Sequence, residues 1–160
     1  MIPPYFHPHS DVLEEQIVEY ADWSIRQFMQ AAEKQPWFDN TIFVFLGDHG
    51  KMVGTPECEM PQSYNHIPLM IYGKDIKPGV YDGFGGQVDV SPTLLGLLNI
   101  SYLQNNFGVN LLEEERPCMF FTADNLIGAR DSVNMFIYSP DSQQEFKYKL
   151  CLLYTSPSPR

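Results

Sequence analysis

NTIFVFLGDHGKM, residues 40–52, decides how the chain is read. Thr41–Leu46 is rich in β-branched and aromatic residues and has no helical period, which predicts a strand. Its apolar character on both faces suits a strand inside a parallel sheet. One glycine later the run ends in Asp48-His49-Gly50. A hard carboxylate oxygen beside an imidazole nitrogen suits a divalent ion. In open α/β sheets the working groups gather where strands end at their carboxyl edge. On spacing alone, a turn-capping Asp48 beside an exposed His49 is an equally good reading, because a lone Asp-His pair is a weak motif.

Working outward, Leu13, Ile17, Ala21, Ile25, Phe28 and Ala32 step by three or four and predict an amphipathic helix within 11–34. Asp11 with Glu14 resembles a capping box at its start, and Pro36 lies past its end. Residues 50–65 read as a polar loop, and Ile67–Tyr72 as a second strand closed by Gly73. After the turn GFGGQ, Ser91 suits an N-cap and Pro92 a first helical position, so a short helix is expected over Thr93–Leu98. CMFFTAD (118–124) and NMFIYS (134–139) read as strands, with EFKYKL as a further one. Helix, strand, loop, strand, helix and then strands predict an α/β/α sandwich with a mostly parallel sheet.

The 160 residues are 44% hydrophobic and carry 20 acidic against 10 basic side chains, a formal charge of −10. That suits one globular unit or part of a larger one. Such acidity disfavours nucleic acid and anionic membrane surfaces as partners. No apolar run approaches the roughly 20 residues of a membrane helix, and MIPPYFHPHS does not read as a signal peptide. Cys58, Cys118 and Cys151 have no metal or redox spacing. CLLYTSPSPR changes composition abruptly and reads as a one-frame translation of a transposase-type sequencing adapter. Residues 151–160, Cys151 included, are therefore expected to be foreign to the fold, with the native C-terminus lost.

His66 directly precedes the second strand and is expected at the same sheet edge as Asp48 and His49. One carboxylate and two imidazoles delivered by two strand ends are what a metal or phosphate site needs. The competing reading for His66 is a buried histidine bonded to backbone. His7 and His9 read as exposed loop histidines. Asp89 reads as support for the turn before its helix.

Taken together, DNTIFVFLGDHG (39–50), NHIPLMIYG (65–73) and GGQVDVSPTLLGLLNI (85–100) resemble the C-terminal half of sulfatase-like enzymes of the alkaline phosphatase superfamily. The likeness is greatest to relatives of lipoteichoic acid synthase and phosphoglycerol transferase. It extends over residues 1 to 138, and YADWSIRQF resembles the helix that these proteins place before the Asp-His strand. Residues 1–150 are thus expected to be the C-terminal portion of such a catalytic domain, with the fold of alkaline phosphatase.

The resemblance implies a mechanism. A threonine (formylglycine in true sulfatases), activated by a bound metal, attacks a phosphorus or sulfur ester and passes the group to an alcohol or water. Asp48 and His49 match the family's metal-binding pair. His66 matches a variable position that contacts the substrate phosphate or a second metal in some members. An imidazole at His49 leans toward manganese or magnesium, with zinc as a third choice, where calcium sulfatases often carry asparagine. The resemblance places the nucleophile and a first acidic ligand upstream of residue 1, so no catalytic nucleophile is assigned here. Ser91 and Thr93 belong to a helix cap, and the chain alone is expected to be inactive. The implied substrate is a phosphate ester, lipid-linked in the membrane relatives, with a sulfate ester as the alternative. The implied parent is membrane-anchored with an extracytoplasmic catalytic domain. A non-catalytic binding domain that keeps the sheet is a further alternative. Oligomeric state is not legible.

Overall fold

The computed structural model describes residues 2–52 and 55–150, so the expectation for residues 151–160 lies outside the described residues. In chain order the elements are α1 (Leu13–Ala32), β1 (Phe43–Leu46), α2 (Gln62–Asn65), β2 (Leu69–Tyr72), α3 (Val90–Leu97), β3 (Met119–Ala123), β4 (Leu126–Arg130), β5 (Asn134–Ser139) and β6 (Gln144–Lys149). The chain divides into two units, Met1–Phe45 with Leu69–Lys77, and Leu46–Pro68 with Pro78–Arg160.

In the first unit α1 forms where the apolar stripe predicts it, but its start differs from the expected capping box. Val12 is the N-cap residue and no side chain caps the helix. Ser10 Oγ instead accepts the Val12 N–H at 3.1 Å. Glu19 reaches back from within the helix to take the N–H groups of His9 (2.7 Å) and Ser10 (3.2 Å). With Ser10 and Glu19 holding the entry, Asp11 has no capping role. Phe43 of β1 is buried, and the rings of Phe28, Trp37, Phe38 and Tyr72 gather around it, with centroids 5.4 to 6.3 Å away. Aromatic burial of this kind is what fixes a short strand. β1 and β2 pair as a two-stranded sheet. Along β1, where burial on both faces is expected, Phe43 is buried and Val44 and Phe45 are half-buried, while Leu46 is exposed. Along β2 half-buried residues alternate with the exposed Met70 and Tyr72, the pattern of a sheet covered on one side.

In the second unit β3, β4, β5 and β6 form an antiparallel meander in sequence order. The α/β class holds, but this larger sheet departs from the parallel arrangement expected. Strands joined by short loops can pair only antiparallel, since a parallel pair needs a crossover. The register aligns Phe121, Gly128, Ile137 and Phe146 across the four strands. Met135 and Ile137 of β5 are fully buried, and with Met60 and Leu150 they make the core, against which Phe121, Leu126, Phe146 and Tyr148 pack. Helix α3 begins earlier than expected, at Val90, continuing from a 3₁₀ turn over Gln87–Asp89. Asp89 explains the earlier start: its Oδ2 accepts the Gly86 N–H at 2.9 Å, so the turn is fixed before Ser91 is reached.

Candidate functional site

Gly47 ends β1 with a backbone bond, its N–H donating to the Pro68 carbonyl at 3.2 Å. The two residues that follow project into solvent, with the Asp48 side chain 91% exposed and that of His49 60% exposed. His49 Nδ1 stands 2.7 Å from the Gly50 carbonyl oxygen. A carbonyl can only accept, so Nδ1 carries a proton, and a ring that is otherwise unprotonated presents its lone pair on Nε2. That Nε2 faces Asp48 Oδ2 at 3.7 Å.

The carboxyl of Asp48 is held below the usual aspartate range. The His49 backbone N–H, at 2.9 Å from Oδ1, is the main cause; the charge of the His49 ring and Asp48's own N–H add to it. The acid is therefore ionised wherever a metal would be bound.

The residues fit a divalent ion. Ligand atoms about 2 Å from one ion stand roughly 3 Å apart, which a small side-chain rotation of Asp48 or His49 supplies. A backbone carbonyl on the remote imidazole nitrogen is the usual outer support of a ligating histidine. Among the described residues no group of three His, Cys, Asp or Glu side chains assembles around such a position. Asp48 and His49 are brought together, and His66 is not gathered with them into such a group.

His66 closes α2, its backbone N–H bonded to the Gln62 carbonyl at 2.8 Å. The residue is exposed and its ring makes no hydrogen bond among the described residues, so it is not the buried, backbone-bonded histidine of the competing reading. His9 is exposed and lies 3.5 Å from Glu19 at the entry to α1. Asp89 is fully buried and accepts bonds from Gly86, Val109 and Arg116, as its supporting role predicts. Thr93 is buried and its Oγ1 accepts the Leu111 N–H at 3.1 Å, a structural position.

Three residues that hold the loop were not apparent from the sequence. Tyr64 of α2 stacks on the His49 ring, centroids 5.3 Å apart and planes at 23°, and its carbonyl accepts the Gly50 N–H at 2.8 Å. Gln87 donates from Nε2 to the carbonyls of Gly47 (3.2 Å) and Asp48 (3.0 Å). Gly50 must be glycine, since a Cβ there would lie 2.0 Å from the Ser63 carbonyl oxygen. Of these, only Gly50 carried a local signal, as the glycine closing Asp-His-Gly.

The sequence matches the sulfatase family over residues 15–100, more than half of the chain. It is 28% identical to lipoteichoic acid synthase 1 of Bacillus subtilis over 147 residues, which is 82% of this chain and 23% of that protein. It is 30% identical to choline-sulfatase of Rhizobium meliloti over 104 residues, 62% of this chain and 18% of that protein. The fold is similar to the crystal structure of an alkaline phosphatase superfamily protein from Vibrio parahaemolyticus, with a TM-score of 0.70 and 24% identity, covering 92% of this chain and 41% of that one. The chain therefore spans about a quarter or less of the curated relatives it matches here.

Proposed function

Because the chain belongs to the sulfatase family, we propose that it is part of a metal-dependent enzyme that transfers or hydrolyses a phosphate ester. Phosphoglycerol is the first candidate for the transferred group, by similarity to the lipoteichoic acid synthase relative. Asp48 and His49 are the protein's two ligands from this chain. The observation that carries the reading is the pairing of His49 Nε2 with Asp48 Oδ2, with Nδ1 occupied by the Gly50 carbonyl.

The ion suited to one carboxylate and one imidazole is manganese or magnesium, with zinc also compatible. When bound it supplies positive charge against the transferring group and lowers the pKa of an attacking hydroxyl. The chain's own residues do the rest. Asp48 brings an ionised carboxylate, the Gly50 carbonyl fixes the His49 tautomer, and Tyr64 and Gln87 hold the loop that presents both. His66, exposed at the end of α2, is available to the substrate phosphate. The nucleophile belongs to another part of the protein. By the same similarity the parent is membrane-anchored with its catalytic domain outside the cytoplasm; no described helix here is long and apolar enough to cross a membrane.

The choline-sulfatase relative supports a second reading, hydrolysis of a sulfate ester. A Cys/Ser-x-Pro-x-Arg segment at the nucleophile would favour that reading, and a bare threonine favours phosphoryl transfer. The metal assignment is tested by titrating the chain with Mn²⁺ and following the free-ion EPR signal. Saturable loss of that signal, abolished separately by Asp48→Ala and His49→Ala, is expected. Equal Mn²⁺ uptake by both variants would remove the assignment.

A further inference from the structure

Among the described residues one arginine makes no ion pair. Among the described arginines, Arg26 pairs with Asp22 and Arg116 with Asp89. Arg130, last residue of β4, has no carboxylate within ion-pair distance among the described residues, in a chain with 20 acidic side chains. It lies on the sheet face that carries the core, opposite Met119 and Met135. Its Nη1 donates to the neutral Gln62 Oε1 of α2. Gln62 is itself held, donating from Nε2 to Met135 Sδ at 3.1 Å. The guanidinium carbon lies over the Phe84 ring, 5.9 Å from its centroid. A cation seated on a ring face is fixed in orientation and leaves its in-plane N–H groups for other partners.

Not all of those N–H groups are used. Arg130 Nε is buried with no hydrogen-bond partner. The Nε–Nη2 edge is the one that grips an oxyanion through two parallel bonds, and here its Nε makes no bond while Nη1 is engaged. The only other buried side-chain polar atom without a partner among the described residues is Asn65 Nδ2. Gln62 and Asn65 stand three apart in α2 and share a face. Both orphaned atoms are donors, one on α2 and one on the β4 residue that α2 bonds through Gln62. Buried donors without acceptors are costly, and an acceptor-only group is what each lacks.

The geometry points to an anion subsite at this contact of α2 with β4, in which the Nε–Nη2 edge of Arg130 and the Asn65 amide bind a tetrahedral oxyanion, a sulfate or phosphate group. Tyr64, between Gln62 and Asn65 in α2, stacks on His49, so the subsite adjoins the metal-binding loop. Its occupant is a second anionic group of the substrate, and that identification rests on the proposed function; anion binding itself does not.

The test uses the 160-residue chain and the Arg130 Nε–H resonance in a ¹H–¹⁵N spectrum. Inorganic phosphate and inorganic sulfate should each shift it saturably, while sodium chloride at equal ionic strength leaves it in place. Arg130→Lys keeps the charge but loses the fork, and should weaken phosphate binding by about tenfold or more, read from backbone amides of α2. Asn65→Ala should weaken it as well, whereas Asp48→Ala should leave it unchanged. Glycerol 3-phosphate binding about tenfold tighter than inorganic phosphate assigns the site to a substrate group; equal affinity assigns it to the free anion. A resonance that ignores both oxyanions, that moves equally in chloride, or a phosphate affinity unaltered in Arg130→Lys overturns the proposal. Loss of phosphate binding with Mn²⁺ binding intact indicts the subsite alone, and the reverse indicts the metal assignment alone.

Discussion

At the scale of the residue, Asp48 and His49 were legible because their chemistry is local: two potential ligands at the end of an apolar strand announce themselves in sequence. Their supports were not. Tyr64 and Gln87 reach the loop only through the path of the intervening chain, and nothing in their own neighbourhoods marks them. Gly50 shows how tightly that path is drawn. Its N–H bonds the Tyr64 carbonyl at 2.8 Å, and an added Cβ would meet the Ser63 carbonyl oxygen at 2.0 Å. Backbone cannot swing aside as a flexible side chain can. Gly50→Ala is therefore expected to cost about 1–3 kcal/mol, the usual range for forcing atoms into filled space. It should also spoil Mn²⁺ binding, because Tyr64 and His49 are held by the same backbone bond. Urea unfolding with a parallel Mn²⁺ titration checks both, and a variant as stable as the parent chain would show the loop to be looser than this.

At the scale of the element, α1, β1, β2, β3, β5 and β6 follow from periodicity and strand-forming content, whereas β4 does not, nor does the short α2 inside residues 50–65, which read as a loop. LIGAR is short and contains a glycine, so it reads as a connection. The better signal lay in the turn. Asp124 and Asn125, both with positive φ (48° and 61°), form the two-residue link between paired Ala123 and Leu126, as a primed hairpin turn demands. Gly128 is tolerated in the strand because the Phe121 ring covers it, at 2.4 Å from where a Cβ would be.

The start of α3 carries a prediction of its own. Burial raises the pKa of the Asp89 carboxyl, but bonds from Arg116 and from the Val109 and Gly86 N–H groups outweigh it, and the net shift is downward. Such a group stabilises the fold fully above the ordinary aspartate value of about 3.9, and that contribution is lost as pH falls through the lower folded value. Arg116→Met leaves a fully buried carboxylate unpaired and is expected to cost about 3–5 kcal/mol at pH 7. With Arg116 gone, Asp89 loses its strongest opponent of burial and should titrate higher than in the parent chain, so the variant's deficit should shrink as pH falls and the carboxyl takes up its proton. Chemical denaturation from pH 7 to pH 5 reads both effects; a deficit that stays constant over that window would deny Arg116 its role.

At the scale of the whole molecule, sequence and structure agree on the class, an α/β fold similar to an alkaline phosphatase superfamily protein, and differ on how apolar surface is covered. The predicted stripe of α1 exists, yet Leu13, Ile17 and Phe28 are each half exposed or more. Leu103 and Phe107, beyond α3, are 97% and 93% exposed, and Phe120 and Ile127 are exposed on the outer face of the meander. Periodicity reports which side chains share a face, not whether anything in the same chain lies against it. Apolar surface of this kind promotes association unless charge opposes it. At pH 7 the formal charge is −10, and it falls toward zero near the pI of about 4.6. The chain alone is therefore expected to bind a hydrophobic dye such as ANS at pH 7 and to self-associate increasingly toward pH 5, as read by light scattering. Replacing Ile17, Leu103 and Phe107 together by lysine should lower dye binding severalfold while changing the unfolding free energy by no more than about 0.5 kcal/mol per site, as for other surface substitutions. The same triple variant also brings the net charge closer to zero, so any improvement in solubility near neutral pH would come from lost apolar area and not from charge. Dye binding that is absent in the parent chain, or undiminished in the triple variant, would mean that these side chains are covered in solution.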